Sequence, residues 1–219
     1  MQRNLSLIDK LIVNADQALR TLVPTAATAK RANPATLKSN AEHASDNELS
    51  NTDKKHIASL MRINHTGEVC AQALYQGQAL TAKLPTVKQE MEQAAQEEVD
   101  HLVWCEERIK QLNSHTSYLN PIFYATSFTL GAAAGIAGDK WSLGFVGATE
   151  EQVCKHLEEH LEQIPEVDQQ SRAILQQMLI DERAHGMGAI NAGGKEFSST
   201  AKNIMSAVSK IMTMTTYRI

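Results

Sequence analysis

The chain is predicted to be all-α, a four-helix bundle with extra helices and an N-terminal arm. Three observations carry that expectation. From about residue 54 onward apolar residues recur at helical spacing. The breaks at Pro85, Asn113 to Pro121, Gly138, Pro165 and Gly193–Gly194 leave stretches of bundle-helix length between them. No segment alternates with the Val, Ile and Tyr enrichment of a strand.

The elements follow in chain order. Leu5, Ile8, Leu11, Ile12, Ala15, Leu19 and Leu22 form one apolar stripe at helical spacing. Residues 24–53, rich in Ala, Thr, Asn and Ser, read as a linker or loosely attached arm. Residues 1–53 are therefore an amphipathic helix and linker arm, and residues 54–219 the bundle domain. Helical segments are expected at roughly 56–82, 86–112, 121–137, 142–163, 166–191 and 198–214. Pro85 and Pro121 suit a first helical turn, where a missing N–H is harmless. Gly193–Gly194 suits a helix stop.

Composition narrows the function. At 219 residues, 42% hydrophobic and 21% charged, the chain can bury a core. A formal net charge of −4 argues against nucleic acid as partner, since that needs a basic face. Cys70, Cys105 and Cys154 form no C-x-x-C pair and no disulfide framework, which suits a reducing compartment. Cys105 and Cys154 read as packing residues, as do most of the eight methionines. The start of the chain mixes Arg3, Asp9, Lys10, Asp16 and Arg20 with apolar residues and resembles neither a secretory signal nor a transit peptide. No apolar run reaches the ~20 residues that span a bilayer. The expected location is bacterial and cytoplasmic.

The chemistry lies in a repeated motif. Glu-x-x-His occurs at Glu98–His101 and at Glu182–His185. Glu68 stands 30 residues before Glu98, and Glu150 stands 32 before Glu182. The same half thus occurs twice, a helix with one Glu followed by a helix with Glu-x-x-His. An antiparallel pair would bring the lone Glu level with its partners. Residues three apart on a helix share a face, with Cβ atoms ~5–6 Å apart, so Glu and His can reach one ion. Four carboxylates and two imidazoles suit iron or manganese rather than a soft-metal site. Without metal, four carboxylates would be costly to bury. Glu-x-x-His on a solvated helix face is the bland alternative, but Val99, Leu102, Cys105, Met178, Ala189 and Ile190 flank the pairs and argue for burial. The constellation resembles that of ferritin-like di-iron bundles.

Asn64-His65-Thr66-Gly67-Glu68, Tyr75-x-Gly77-Gln78, Glu98-x-x-His101, Thr149-Glu150-Glu151 and Asp181-Glu182-x-x-His185 together resemble the demethoxyubiquinone hydroxylase family of ubiquinone biosynthesis. The resemblance runs from about Leu60 to Ile219. It implies a non-haem di-iron monooxygenase with two iron ions per chain, hydroxylating the ring of a polyprenylated demethoxyquinol with O₂. It further implies metal ligands Glu68, Glu98, His101, Glu150, Glu182 and His185. The motif register of the resemblance selects Glu150 over Glu151, and since adjacent helical residues point about 100° apart only one of the two can be a direct ligand. Asp181 is expected to orient His101, and Glu97 to orient His185, since metal-bound His commonly donates its second N–H to a carboxylate. His156 corresponds to a position that is thought to assist redox or proton transfer, but many relatives follow it with Tyr where this chain has Leu157. His65 reads as packing or capping.

Residues 118–137 are the most apolar stretch and are either a buried helix packed by small residues or a surface meeting the membrane interface, where such a quinol must be collected. Peripheral contact with the inner membrane, contact with quinone-biosynthesis proteins and an oligomer are open expectations. No Gly-rich dinucleotide motif is present, so electrons must come from reduced nicotinamide, a reductase or the quinol. The alternatives are a ferritin-like iron-oxidising or storage protein, a rubrerythrin-like peroxidase (disfavoured by the missing C-x-x-C) and a non-catalytic scaffold.

Overall fold

Apolar helical periodicity builds seven helices among the described residues, 7–36 and 48–219 of a computed structural model, and no strand among them. They are α1 (Leu7–Leu22), α2 (Asn51–Thr81), α3 (Pro85–Gln111), α4 (Asn120–Ala137), α5 (Asp139–Gln163), α6 (Gln169–Asn191) and α7 (Ser199–Thr216). Leu5, the side chains of Ile8 and Leu11, and residues 37–47 of the expected linker lie outside the described residues.

The helix ends follow local chemistry. Ser50 caps α2 in a reciprocal box with Asp53. Pro85 opens α3 at its first position. Asn113, at φ 56°, and Gly193, at φ 101°, close α3 and α6 in the left-handed conformation. In both, the next N–H bonds back five residues, Ser114 N to Ile109 O and Gly194 N to Ala189 O, each 3.0 Å, which satisfies terminal carbonyls.

Side-chain pairings give the topology. Arg62 reaches Ser114 and His115, so α2 and α3 are antiparallel. Gln78 reaches the Ser142 carbonyl and Asn64 reaches His160, so α5 is antiparallel to α2. Arg172 bonds the Leu161 and Ile164 carbonyls, which makes α6 antiparallel to α5. Helices α2, α3, α5 and α6 form the ferritin-like bundle, and α4 is the crossover between its halves. α4 runs parallel to α2 in close approach. A Cβ on Gly77 would strike the Phe128 carbonyl, and one on Gly131 would strike that of Leu74. The expected packing by small residues is therefore present, while Ile122, Leu130 and Ile136 on the same helix are exposed.

One core cluster joins Trp104, Cys105 and Ile109 of α3 to Ile174, Leu175 and Met178 of α6. Below it, Arg108 and Asp168 form a fully buried pair at 2.9 Å, and Asp168 also caps α6 through Ser171 N. Breaking such a pair from one side costs ~3–5 kcal/mol.

The N-terminal region departs from expectation in two ways. In α1 the buried face is Ala18, Thr21 and Leu22, whereas Ile12 and Leu19 of the expected stripe are exposed. Residues 25–36 are fastened to α3 rather than loosely attached. Thr25 N donates to the Glu106 carboxylate at 3.0 Å, Lys30 N to Asp100 at 2.6 Å, and Asn33 Nδ2 to Glu107 at 2.7 Å. The reason lies in acidic residues on one face of α3 that accept the segment's N–H groups, a pairing across 70 to 81 residues that local composition does not reveal.

Candidate metal centre

Each of the four bundle helices sends carboxylates inward, because each places the relevant residue on its buried face. Glu68 comes from α2, Glu98 and His101 from α3, Glu150 from α5, and Glu182 and His185 from α6. All four carboxylates are buried. Ligand atoms of Glu68, Glu98, His101 and Glu182 lie within 4.8 Å of one another.

The arrangement has two poles. His101 Nδ1 lies 2.9 Å from Glu98 Oε2, 3.1 Å from Glu182 Oε1 and 3.7 Å from Glu68 Oε2. His185 Nδ1 lies 3.0 Å from Glu98 Oε1 and 3.4 Å from Glu182 Oε2. Glu98 and Glu182 therefore each present one oxygen to each imidazole. Glu68 belongs to the His101 pole, and Glu150 meets Glu182. Glu150, not its neighbour, points inward, while exposed Glu151 pairs with Lys202.

The electrostatics are those of a site that needs positive charge. Burial, then the Glu98 charge, drives the Glu68 carboxyl well above its ordinary range. Burial and the charges of Glu182 and Glu98 do the same to Glu150. Burial opposes ionisation of Glu98 as well, but His101 and His185 hold its pKa well below the usual value. Against burial, the surrounding carboxylates raise His101 strongly and push His185 up to about 12. Protons on Glu68, Glu150, His101 and His185 thus stand where cationic charge belongs. Glu68 Oε2 and Glu150 Oε2 are buried with no hydrogen-bond donor, a costly arrangement that a metal ion would relieve. The donor set, hard carboxylate with borderline imidazole, fits iron or manganese.

The outer nitrogen of each histidine meets a carboxylate across the bundle. His101 Nε2 is 2.9 Å from Asp181 Oδ2, and His185 Nε2 is 2.7 Å from Glu97 Oε2. These are the contacts assigned to Asp181 and Glu97 from sequence. His156 lies elsewhere. Its ring faces α7, with Nε2 3.4 Å from Ser209 Oγ, and stacks near His160. Six residues beyond Glu150, it is turned off the inward face. His65 is buried 3.5 Å from Asn120 and serves packing. The Cys105 thiol points to Met178 Sδ at 3.7 Å.

Three participants escaped the sequence reading. Tyr75 Oη donates to Glu150 Oε1 at 2.6 Å. Tyr75 lies two turns after Glu68 on the same face of α2, so helical periodicity held that signal. Asp100 and Arg31 form the other addition. Arg31 Nε is 2.6 Å from Asp100 Oδ2, and its Nη1 is 2.8 Å from Asp181 Oδ2. Nothing local in the sequence announces that bridge. A cavity of about 250 Å³ opens beside the His185 pole, lined among others by Tyr75, Met91, Val146, Ala184, His185 and Gly188.

Comparison with known proteins agrees with this geometry. A family model described as Ubiquinone biosynthesis protein COQ7 matches residues 55–216. The chain is 61% identical over 218 residues to a 3-demethoxyubiquinol 3-hydroxylase of Stutzerimonas stutzeri (strain A1501), covering 100% of this chain and 99% of that one. It is 59% identical to the protein of that name from Pseudomonas syringae pv. syringae (strain B728a), with the same coverage. It is also 59% identical to that of Pseudomonas aeruginosa (strain LESB58), over 99% of this chain and 98% of that one. With Glu68, Glu98, His101 and Glu182 gathered at one buried point and a family match over most of its length, the chain belongs to the family of Ubiquinone biosynthesis protein COQ7.

Proposed function

We propose that the protein hydroxylates the ring of a polyprenylated demethoxyquinol in ubiquinone biosynthesis, using O₂ and external electrons at a two-iron centre. The observation that carries this is the buried meeting of Glu68, Glu98, His101 and Glu182 in a chain 58–61% identical to proteins named for that hydroxylation. A storage role or a scaffold role has no comparable support from those full-length matches.

In this reading Glu68, Glu98, His101, Glu150, Glu182 and His185 would hold the irons, with Glu98 and Glu182 the carboxylates that face both imidazoles. Iron bound there supplies the electron transfer to O₂ that closed-shell side chains lack. The chain's own residues do the rest. Asp181 and Glu97 accept the Nε2–H of His101 and His185, which leaves each Nδ1 lone pair facing inward. Tyr75 donates to Glu150 and limits its swing. Trp104, Met178 and Leu102 keep water from the His101 pole. The cavity beside His185 gives the quinol ring a way in from the Gly188 side.

Membrane contact extends the proposal. No helix among the described residues is long and apolar enough to cross a membrane. Ile204, Val208 and Ile211 nevertheless make an exposed stripe on α7, and Ile122, Leu130 and Ile136 stand exposed on α4. Such surfaces suit peripheral docking on the cytoplasmic face of the inner membrane, where a polyprenyl tail resides. Flotation with liposomes tests this, and failure to float would remove it.

The deciding experiment loads the protein anaerobically with ferrous iron and adds demethoxyquinol, a reductant and ¹⁸O₂. About two irons per chain and one labelled oxygen in the ring are expected. Iron oxidation without labelled product would overturn the assignment.

A further inference from the structure

We propose that Arg31 is a positioning residue for the His101 pole, a latch carried by the N-terminal segment that holds Asp181 against His101 and slows the loss of iron there. The inference rests on the two-iron reading above and concerns residues ahead of the family-matched span, which begins at residue 55.

The segment is placed before Arg31 acts. Asp100 accepts Lys30 N at 2.6 Å and Glu106 accepts Thr25 N at 3.0 Å, while Ala35 is buried in the core beyond. The Arg31 guanidinium then lies over the Trp104 ring, 4.9 Å from its centroid, and Trp104 lies 5.4 Å from the His101 ring. From there it forks. Nε donates to Asp100 on α3 and Nη1 donates to Asp181 on α6. Arg31 thus ties together the two helices that carry the Glu-x-x-His pairs.

Geometry says what the tie does. Both ring nitrogens of His101 face carboxylates and donate to them, Nδ1 inward to Glu98 and Nε2 outward to Asp181 Oδ2; a metal ion would replace the Nδ1 proton and leave the Nε2–H on Asp181. Arg31 Nη1 and His101 Nε2 therefore converge as two donors on the same oxygen. Arg31 Nη2, 3.3 Å from His101 Nε2, is a neighbour of that N–H, not a second acceptor for it. Asp181 is held from two sides and cannot rotate off the ring without releasing the arginine. Gln177 Nε2 occupies its other oxygen at 3.0 Å.

An exposed ion pair would contribute little. Here the partners' side chains are only 4% and 14% exposed, and the planar fork reaches two carboxylates on different helices. A lysine cannot do that. The equivalent position at the other pole is weaker, since Glu97 receives Gln93 Nε2 at 3.1 Å where Asp181 receives an arginine.

The test loads wild type, Arg31→Ala, Arg31→Lys and Asp100→Asn anaerobically with ⁵⁷Fe(II). It follows iron release to an excess of ferrous chelator and records Mössbauer spectra before the challenge. In Arg31→Ala one of the two irons should leave about 10–100-fold faster, the range expected on losing an outer partner of a metal-bound histidine. One quadrupole doublet should shift while the other keeps its wild-type parameters. Asp100→Asn should reproduce this, and Arg31→Lys should fall between. If Arg31→Ala fails to fold, Arg31→Lys decides, because it keeps the charge and loses the fork. Wild-type release and spectra in both Arg31 variants would overturn the latch alone. Equal acceleration of both irons would do the same, since it marks general loosening. Wild type holding no iron would overturn the two-iron reading and the latch with it.

Discussion

The two Glu-x-x-His pairs occupy opposite poles of one cluster, yet their surroundings differ. At the first, the His101 side chain is 0% exposed, its carboxylate partner is bridged by an arginine, and a tryptophan lies against the ring. At the second, His185 is 11% exposed, Glu97 is 38% exposed, and a cavity opens alongside. The repeated motif sets the inner ligand positions symmetrically. What lies outside them is not repeated: one pole is sealed, and a cavity opens beside the other.

The largest effect should come from residues that belong to both poles. Glu98→Ala or Glu182→Ala removes a carboxylate that faces both imidazoles, so neither pole should survive alone. Metal analysis should find fewer than one iron per chain, and ring hydroxylation should fall by more than the ~10–100-fold that outer partners cost. Retention of one tightly held iron would break the picture of shared bridging oxygens.

Next come the outer carboxylates. Asp181→Asn and Glu97→Gln should each weaken iron binding within about 10–100-fold, with Asp181 nearer the upper end because it is the more buried of the two. Chelator competition measures this. Equal losses would mean that sealing one pole contributes nothing to retention.

The third concerns pH and metal together. The raised pKa values of His101 and His185 stabilise the metal-free fold fully below pH 6.5, and that contribution is lost as pH rises through the raised values, about 12 for His185. Glu68 and Glu150, raised above 4.5, act in the same direction, since the unfolded chain ionises them first. Glu98 and Asp181, lowered, contribute stability above about pH 4.5 and 3.8 that is lost on acidification. The metal-free protein should therefore be most stable near pH 4.5, lose stability above it as Glu68 and Glu150 ionise in the unfolded chain, and lose it faster above pH 6.5. From pH 6.5 to 8.5 its melting temperature should fall by about ten degrees or more, at up to about 1.4 kcal/mol per group per pH unit and ~2–4 °C per kcal/mol. Iron loading should flatten or reverse that slope, because binding displaces the protons. Scanning calorimetry at pH 6 and 8.5, with and without iron, checks both halves, and a metal-free slope of opposite sign would refute them.

Much of this arrangement was legible in the letters. The six inward side chains lie at spacings set by helical geometry and an antiparallel turn, and 3.6-residue periodicity carries that information along the chain. The stops at Asn113 and Gly193 follow from residues that tolerate a left-handed backbone. The fastening of residues 25–36 was not legible, because Asp100 and Glu106 act on backbone N–H groups 70 and 81 residues away, and an amide carries no side-chain signature. The apolar stripe of α1 misled for a similar reason. Which face is covered depends on Val69, Leu102 and Phe128, not on the helix's own pattern. Tyr75 stood in the family-like motif, and its seven-residue spacing from Glu68 put it on the same helix face, but nothing in the letters showed that its hydroxyl reaches Glu150.

The smallest effect sharpens the open pole. A Cβ at Gly188 meets nothing within 4 Å, so Gly188→Leu should fold and fill part of the cavity. The KM for the quinol should rise about fivefold, the equivalent of about 1 kcal/mol, with iron content unchanged. An unchanged KM would mean the ring approaches from elsewhere.

The bond from Arg31 to Asp181 joins residues 150 positions apart. During synthesis the strap leaves the ribosome early, but its second anchor is made only when α6 appears. Iron that arrives before the last helices are folded meets two ligand helices and no clasp. Completion of the centre therefore requires α6, and a chain cut short before residue 181 would have neither the Asp181 anchor nor the second Glu-x-x-His pair.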